Sequence, residues 1–207
     1  MTERLGLCGG SFDPFHRGHL QPLAIYDEMH WSQLVYVPVN RQPFKLDRQQ
    51  PSAFHRFAMT VLATESDDRL GVSTVEVDRE GVSYTVDTLE EMRGLYPDAV
   101  LDWIIGDDNI DALGAWRSIE RIFQLANFVV LRRTNLSRLP GQYAFRVTSA
   151  EGRDKAGGII FAHNPAVEVS SSDVRQLVAR GESVEHLVDD RVARYIRRHK
   201  LYQAEVS

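Results

Sequence analysis

The chain has 207 residues, 43% of them apolar and 26% charged, with a formal net charge of −5 at pH 7. That balance belongs to an ordinary globular protein of one sizeable domain, excludes a disordered chain and disfavours broad nucleic-acid binding, while a few local cations could still hold a small anion. Cys8 is the single cysteine, which excludes an intrachain disulfide and a cysteine-rich zinc site, and no run approaches the roughly 18 apolar residues that span a bilayer.

Residues 1–10 (MTERLGLCGG) lack a basic start followed by a long apolar stretch, so no signal peptide and a cytoplasmic location are expected. Residues 4–8 are short and apolar and run into Gly9-Gly10, the pattern of a buried strand entering a tight loop. From Gly18 the pattern turns helical, with Leu20, Leu23, Ala24 and Met29 near one face. A second strand is predicted over 34–37, halted by Pro38, and the polar, proline-bearing 40–51 is a loop. Ser52 can cap a helix carrying Phe54, Phe57, Ala58, Val61 and Leu62.

The alternation continues with a strand over 72–77, a helix over 86–95 and a strand over 100–105 ending at Gly106. After a further helical stretch come strands at 128–131 and 158–162, then helices at 171–180 and 189–199. Repeated strand–helix alternation predicts an α/β fold, a Rossmann-like doubly wound parallel sheet with helices on both faces. Residues 134–157 are the least patterned stretch and read as a variable surface excursion within one domain, 1–207. The basic residues of the last helix, Arg191, Arg194, Arg197, Arg198 and Lys200, flank Val192, Tyr195 and Ile196, which suggests a docked helix with its cations in water.

In open parallel sheets, ligands bind beyond the carboxyl ends of the strands where strand order reverses. Four polar clusters follow predicted strands: GGSFDPFHRGH (9–19), NRQPFK (40–45), GDD (106–108) and SSSDVR (170–175). Four clusters at equivalent topological places are expected to converge on one mouth. The first is neither the GxGxxG dinucleotide fingerprint nor a P-loop. Its glycines imply that the backbone must approach something closely. His16 and His19 share a face at i and i+3, and no third strong ligand completes a metal site beside them. Imidazoles at a helix N-terminus can instead donate to phosphate oxygens, assisted by backbone N–H groups and the helix dipole.

GGSFDPFHRGH closely resembles the GG[ST]FDPxHxGH signature of nucleotidyltransferases related to class I aminoacyl-tRNA synthetases. With SYTVDTL (83–89), IGDDNI…W (105–116), FVVLRR (128–133) and VSSSDVR (169–175), the chain resembles the bacterial nicotinate-nucleotide adenylyltransferases from about residue 5 to Tyr202. That resemblance implies a nucleotidyltransferase-type sheet and a reaction joining ATP to nicotinate mononucleotide, giving nicotinate adenine dinucleotide and pyrophosphate. It implies no covalent enzyme intermediate, and Mg2+ delivered with the ATP phosphates. It also implies ATP and nicotinate mononucleotide as partners, with neither nucleic acid nor membrane among them. Oligomeric state is encoded in no feature of the sequence.

Residue by residue, the resemblance places Gly9, Gly10, Ser11 and Phe12 in a backbone loop against ATP and the incoming phosphate. His16 and His19 match the pair that contacts the ATP phosphates and stabilises charge during transfer. Ser171 and Ser172 would start a helix whose amides face phosphate, with Arg175 reaching the same anion. Gly106 and Asp108 match a GxD serving the adenosine end. Tyr84, Thr85 and Trp116 match the nicotinate pocket, Thr85 and nearby amides as donors to the ring carboxylate and Trp116 as a stacking face. Trp103 belongs to the core. Asn40 and Lys45 are expected ligands of the mononucleotide phosphate. Where the family often has PPHK this chain has Gln42-Pro43-Phe44-Lys45, and Phe44 cannot make the histidine's hydrogen bond.

Two other readings stand beside this one. The same chemistry could act on another phosphomonoester, such as nicotinamide mononucleotide or phosphopantetheine, against which SYTVDTL and Trp116 argue. A non-catalytic nucleotide sensor is opposed by the retention of His16, His19, Lys45 and Arg175 together.

Overall fold

A computed structural model describes residues 3–41, 50–132, 138–149, 155–165 and 167–203. Six strands form one sheet: β1 (Arg4–Gly10), β2 (Gln33–Pro38), β3 (Leu70–Val72), β4 (Val100–Gly106), β5 (Asn127–Leu131) and β6 (Ile159–Phe161). Their order is β3-β2-β1-β4-β5-β6, and every pairing is parallel. β1 pairs with both β2 and β4, so strand order reverses on either side of it. The crevice between the carboxyl ends of β1 and β4 is therefore the topological switch point.

Both faces of the sheet are covered, as the alternation predicts. Leu5, Leu7, Val35, Val37, Leu101 and Trp103 face α2 (Thr85–Leu95), α3 (Ile119–Leu125) and the 3-10 segment Asp107–Ala115 through Leu89, Met92, Ile110, Leu113, Ile122 and Phe123. Leu34, Tyr36, Ile104 and Val129 point the other way, onto Phe12, Phe15, Ile25 and Met29. Side chains on a strand alternate between faces, and a sheet buried on both sides needs apolar residues at both sets of positions. A third cluster joins α1 (Ala53–Thr64), α4 (Ser171–Ala179) and α5 (Asp190–Arg198) through Met59, Val174, Val192 and Ile196.

At the amino end of the strands lies a buried polar network. Asp102 accepts from Arg4 Nε at 2.6 Å, Trp31 Nε1 at 2.8 Å and Asn127 Nδ2 at 2.9 Å. A buried carboxylate surrounded by donors in this way ties the neighbouring strands together without an unsatisfied charge.

Several elements depart from the sequence pattern. The strand expected over 72–77 ends at Val72: Ser73 N–H reaches Tyr36 O at 2.9 Å, and the chain then turns, with Asp78 N–H on Thr74 O at 2.9 Å. Val75 and Val77 keep the strand periodicity, but Glu76 between them is buried against α2 instead. The segment expected to be a helix from Gly18 is a 3-10 helix, Arg17–Ile25, with Pro22 inside it. On α1 the buried stripe is Arg56, Met59, Thr60 and Thr64, while Phe54 is 70% exposed. The two threonines tolerate burial because each hydroxyl donates to the carbonyl four residues back, at 2.9 Å.

Within the 134–157 stretch, the described part includes a 3-10 turn, Gly141–Arg146, that inserts Tyr143 into the core beside Phe123. On α5, Arg191 is paired with Asp189 and Glu65 at 2.8 Å each, and Arg197 with Glu185, so these cations are neutralised locally. Among the described residues no helix is long and apolar enough to cross a membrane.

Candidate active site

At the carboxyl end of β1 the glycines answer to packing inside this chain. A Cβ on Gly9 would sit 2.5 Å from the Trp103 ring, and one on Gly10 2.9 Å from the Phe12 ring. Phe12 itself adopts φ +47°, a left-handed conformation that costs a non-glycine residue about 1–2 kcal/mol. Its ring packs against Phe15, His19 and Tyr36 with centroids 5.4, 5.0 and 5.7 Å away. Only the backbone of Phe12 can therefore face a ligand; the side chain is core. Ser11 O accepts from Arg56 Nη1 at 2.7 Å.

His16 and His19 come together as the i, i+3 spacing predicts, their ring centroids 3.8 Å apart and the rings inclined at 31°. His16 caps the 3-10 helix, its Nδ1 accepting Gly18 N–H at 3.1 Å, and His19 Nδ1 accepts His16 N–H at 3.1 Å. An Nδ1 that accepts a backbone N–H places the proton of the neutral imidazole on Nε2. Both rings are thus held in the tautomer that presents an Nε2–H donor. Tyr36 hydroxyl donates to His19 O at 2.8 Å and fixes the backbone beneath them.

The distant SSSDVR segment docks on this loop. Ser170 caps α4 in a capping box with Asp173. Ser171 Oγ donates to Pro14 O at 3.1 Å, and Arg175 donates from Nη1 to Asp13 O at 2.6 Å and from Nη2 to Ser172 Oγ at 2.8 Å. Arg175 Nη1 also lies 3.7 Å from Asp13 Oδ2, while Asp13 Oδ1 accepts Tyr202 hydroxyl at 2.7 Å. The N-terminus of α4 is thereby joined to the loop, residues 11–16, that leads into the 3-10 helix carrying His19.

On the β2 side, Asn40 Nδ2 donates to Arg79 O at 2.7 Å, Asn40 N–H to Ser83 Oγ at 3.2 Å, and Asn40 O accepts from Arg56 Nη2 at 2.9 Å. The Asn40 amide thus holds the chain leading into α2. Tyr84 is the N-cap residue of α2 and Thr85 its first residue. The Arg117 guanidinium lies over the Tyr84 ring at 4.7 Å, and the adjacent Trp116, half-buried, packs edge-on against Phe128 at 5.7 Å. Tyr84, Thr85 and Trp116 are thus carried on neighbouring segments. Gly106 ends β4 and caps the 3-10 segment that follows, in whose first turn Asp107 is buried and Asp108 exposed. Trp103 is core, as expected. Phe44 and Lys45 lie outside the described residues.

Comparison with known proteins shows the family and the fold. The profile of the cytidylyltransferase-like family matches residues 7–177. A protein of a Thermoanaerobacter species named "probable nicotinate-nucleotide adenylyltransferase" is 34% identical over 207 residues, covering 98% of this chain and 95% of its own length. Its namesake in Streptomyces coelicolor is 37% identical over 198 residues, covering 95% of this chain and 100% of that protein. The chain belongs to the nicotinate-nucleotide adenylyltransferase family. The fold is shared with the solved structure of Plasmodium falciparum nicotinic acid mononucleotide adenylyltransferase complexed with NaAD, at a TM-score of 0.71, 16% identity and 97% coverage of both chains.

Within this family frame, sequence reasoning missed Arg56, Asp13, Tyr202 and Arg117. Arg56 is 1% exposed and donates to three backbone carbonyls, yet it lies among the apolar residues of α1 without a motif to mark it. Asp13 and Tyr202 lay at hand in FDP and at the end of the family resemblance, but their pairing spans 189 residues and no local pattern reports it.

Proposed function

We propose that this adenylyltransferase joins ATP and nicotinate mononucleotide at the β1–β4 switch point. A phosphate oxygen of the mononucleotide attacks the α-phosphorus of ATP in line; the bond to the bridging oxygen breaks and pyrophosphate leaves. Such transfer asks a protein for positioning and charge neutralisation. The observation that carries this reading is the convergence of the His16–His19 pair and Arg175 on the loop after β1 and the 3-10 helix it enters. Their Nε2–H and guanidinium donors would take the phosphate oxygens of ATP, the backbone of Gly9, Gly10, Ser11 and Phe12 would lie against the nucleotide, and Ser171 and Ser172 would present the α4 N-terminus. Gly106 and Asp108 would serve the adenosine end. Asn40 and Lys45 would serve the mononucleotide phosphate, and Tyr84, Thr85 and Trp116 the nicotinate ring. Mg2+ would enter with ATP as MgATP, where it would supply neutralisation of the phosphate charge. The whole of 1–207 acts as one cytoplasmic unit in this reading.

Pyrophosphate release from MgATP, measured with nicotinate mononucleotide, nicotinamide mononucleotide and phosphopantetheine as separate acceptors, tests it. Turnover is expected to be fastest with nicotinate mononucleotide. Binding of ATP without turnover on any acceptor overturns it in favour of a nucleotide sensor.

A further inference from the structure

Three peptide groups from three separate segments converge on the buried Arg56 side chain. Nη1 donates to Ser11 O at 2.7 Å, Nη2 to Asn40 O at 2.9 Å and Nε to Pro51 O at 3.2 Å. Ser11 follows β1, Asn40 follows β2, and Pro51 precedes α1. The guanidinium sits among them almost wholly out of water. Burying a cation is costly, and burial pulls the Arg56 pKa below its usual value while Asp13 and Tyr202 oppose the shift. A buried aliphatic residue would pack here without that cost, so the planar, multi-donor fork is what the position uses.

We propose that Arg56 is a positioning residue that sets the register between the ATP loop and the acceptor loop. This inference rests on the adenylyltransferase reading of the site. The physical link is the planar trans peptide, in which a carbonyl and the following N–H point in opposite directions. With Ser11 O turned to Arg56, the Phe12 N–H is turned away from it. With Asn40 O turned to Arg56, the Arg41 N–H is likewise turned away. One side chain therefore orients an amide in the loop expected against ATP and another in the loop expected against the mononucleotide phosphate. It also holds the peptide bond that enters Phe12, whose left-handed φ of +47° needs support from its surroundings. In-line attack depends on the relative placement of the two substrates more than on the affinity for either, so loosening this clasp acts on kcat.

The test uses Arg56→Lys, which keeps the charge but replaces the planar, spread fork with a single nitrogen, and Arg56→Ala with methylguanidinium added back. Each is compared with wild type by thermal unfolding, by calorimetric titration with ATP and with nicotinate mononucleotide separately, and by turnover per binding-competent site. Misplacement of reacting groups by about 1 Å costs on the order of 100-fold in rate. Arg56→Lys is expected to lose kcat on that scale while each substrate's Kd stays within about three-fold, and methylguanidinium is expected to restore part of the Arg56→Ala rate. An unchanged kcat in folded Arg56→Lys overturns the inference. So does parallel loss of both affinities, or failure of both variants to fold, since either assigns Arg56 to the scaffold alone. Absence of turnover in wild type with every acceptor would instead sink the adenylyltransferase reading, a result these outcomes do not mimic.

Discussion

Tyr202 donates its hydroxyl to Asp13 Oδ1 at 2.7 Å, joining the end of the described chain to the loop after β1. Burial, and then the Asp13 carboxylate, push the Tyr202 hydroxyl far above the ordinary tyrosine value, so it remains a donor at any working pH. Tyr202→Phe keeps the ring and removes this bond. A hydrogen bond to a charged group contributes about 2 kcal/mol, and a loss of that size is expected in urea denaturation. Because Asp13 O also holds Arg175, ATP affinity should fall as well. Unchanged stability and ATP affinity would show that the bond contributes nothing.

His19→Ala removes an expected Nε2–H donor and the acceptor of His16 N–H. Loss of one donor to developing charge typically costs roughly 10²–10³-fold in kcat, with ATP binding nearly unchanged. Rapid-quench and equilibrium titration separate the two; a rate within a few-fold of wild type removes His19 from the chemistry.

Trp116 is half-buried with one edge on Phe128. Trp116→Ala should raise the Michaelis constant for the pyridine nucleotide roughly ten-fold, the scale of a lost aromatic stack, and leave that for ATP unchanged. Trp116→Phe should recover much of the loss. An equal rise for ATP would reduce Trp116 to packing alone.

Glu76 is buried, and desolvation raises its pKa above the ordinary value of 4.5, against the lowering effect of the Thr88 and Ser83 hydrogen bonds and Arg79. A carboxyl whose folded pKa is raised contributes stability that is complete below the unfolded pKa and is lost as pH rises through the folded one. Glu76→Gln cannot titrate. The difference in unfolding free energy, variant minus wild type, should therefore grow in the variant's favour as pH rises from 4 to neutrality. A pH-independent difference would show that Glu76 titrates alike in both states.

Gly9→Ala places a methyl group 2.5 Å from the Trp103 ring. Overpacking of this kind costs about 1–3 kcal/mol, read as a shift in denaturation midpoint. Trp103→Leu in the Gly9→Ala background should return part of it. An additive double-mutant cycle would mean that the two residues do not meet.

The parallel α/β architecture was legible because strands buried on both faces write long apolar runs, and the helices between them write a different period. The motif residues were legible as type and spacing: His16 and His19 at i, i+3, and a helix start at Ser171 and Ser172. The reading went astray at residues 72–77, where Val75 and Val77 alternate like a strand while the sheet edge has already been left. The helix expected after Ser52 forms, but its apolar residues do not mark the buried face: Phe54 is exposed while Arg56, Thr60 and Thr64 are buried.

By itself the sequence determined the strand–helix alternation and the short motifs on which the family resemblance rests, since local periodicity and short motifs are properties of neighbours along the chain. The tertiary structure alone decided the rest. It chose which face of α1 points inward, because Arg56 donates to the loop carbonyls at Ser11, Asn40 and Pro51. It seated the Trp103 ring against Gly9, so that packing inside the chain also demands a glycine there. It also brought Tyr202 and Arg175 to Asp13, because hydrogen bonds across 189 and 162 residues leave no trace in any local pattern.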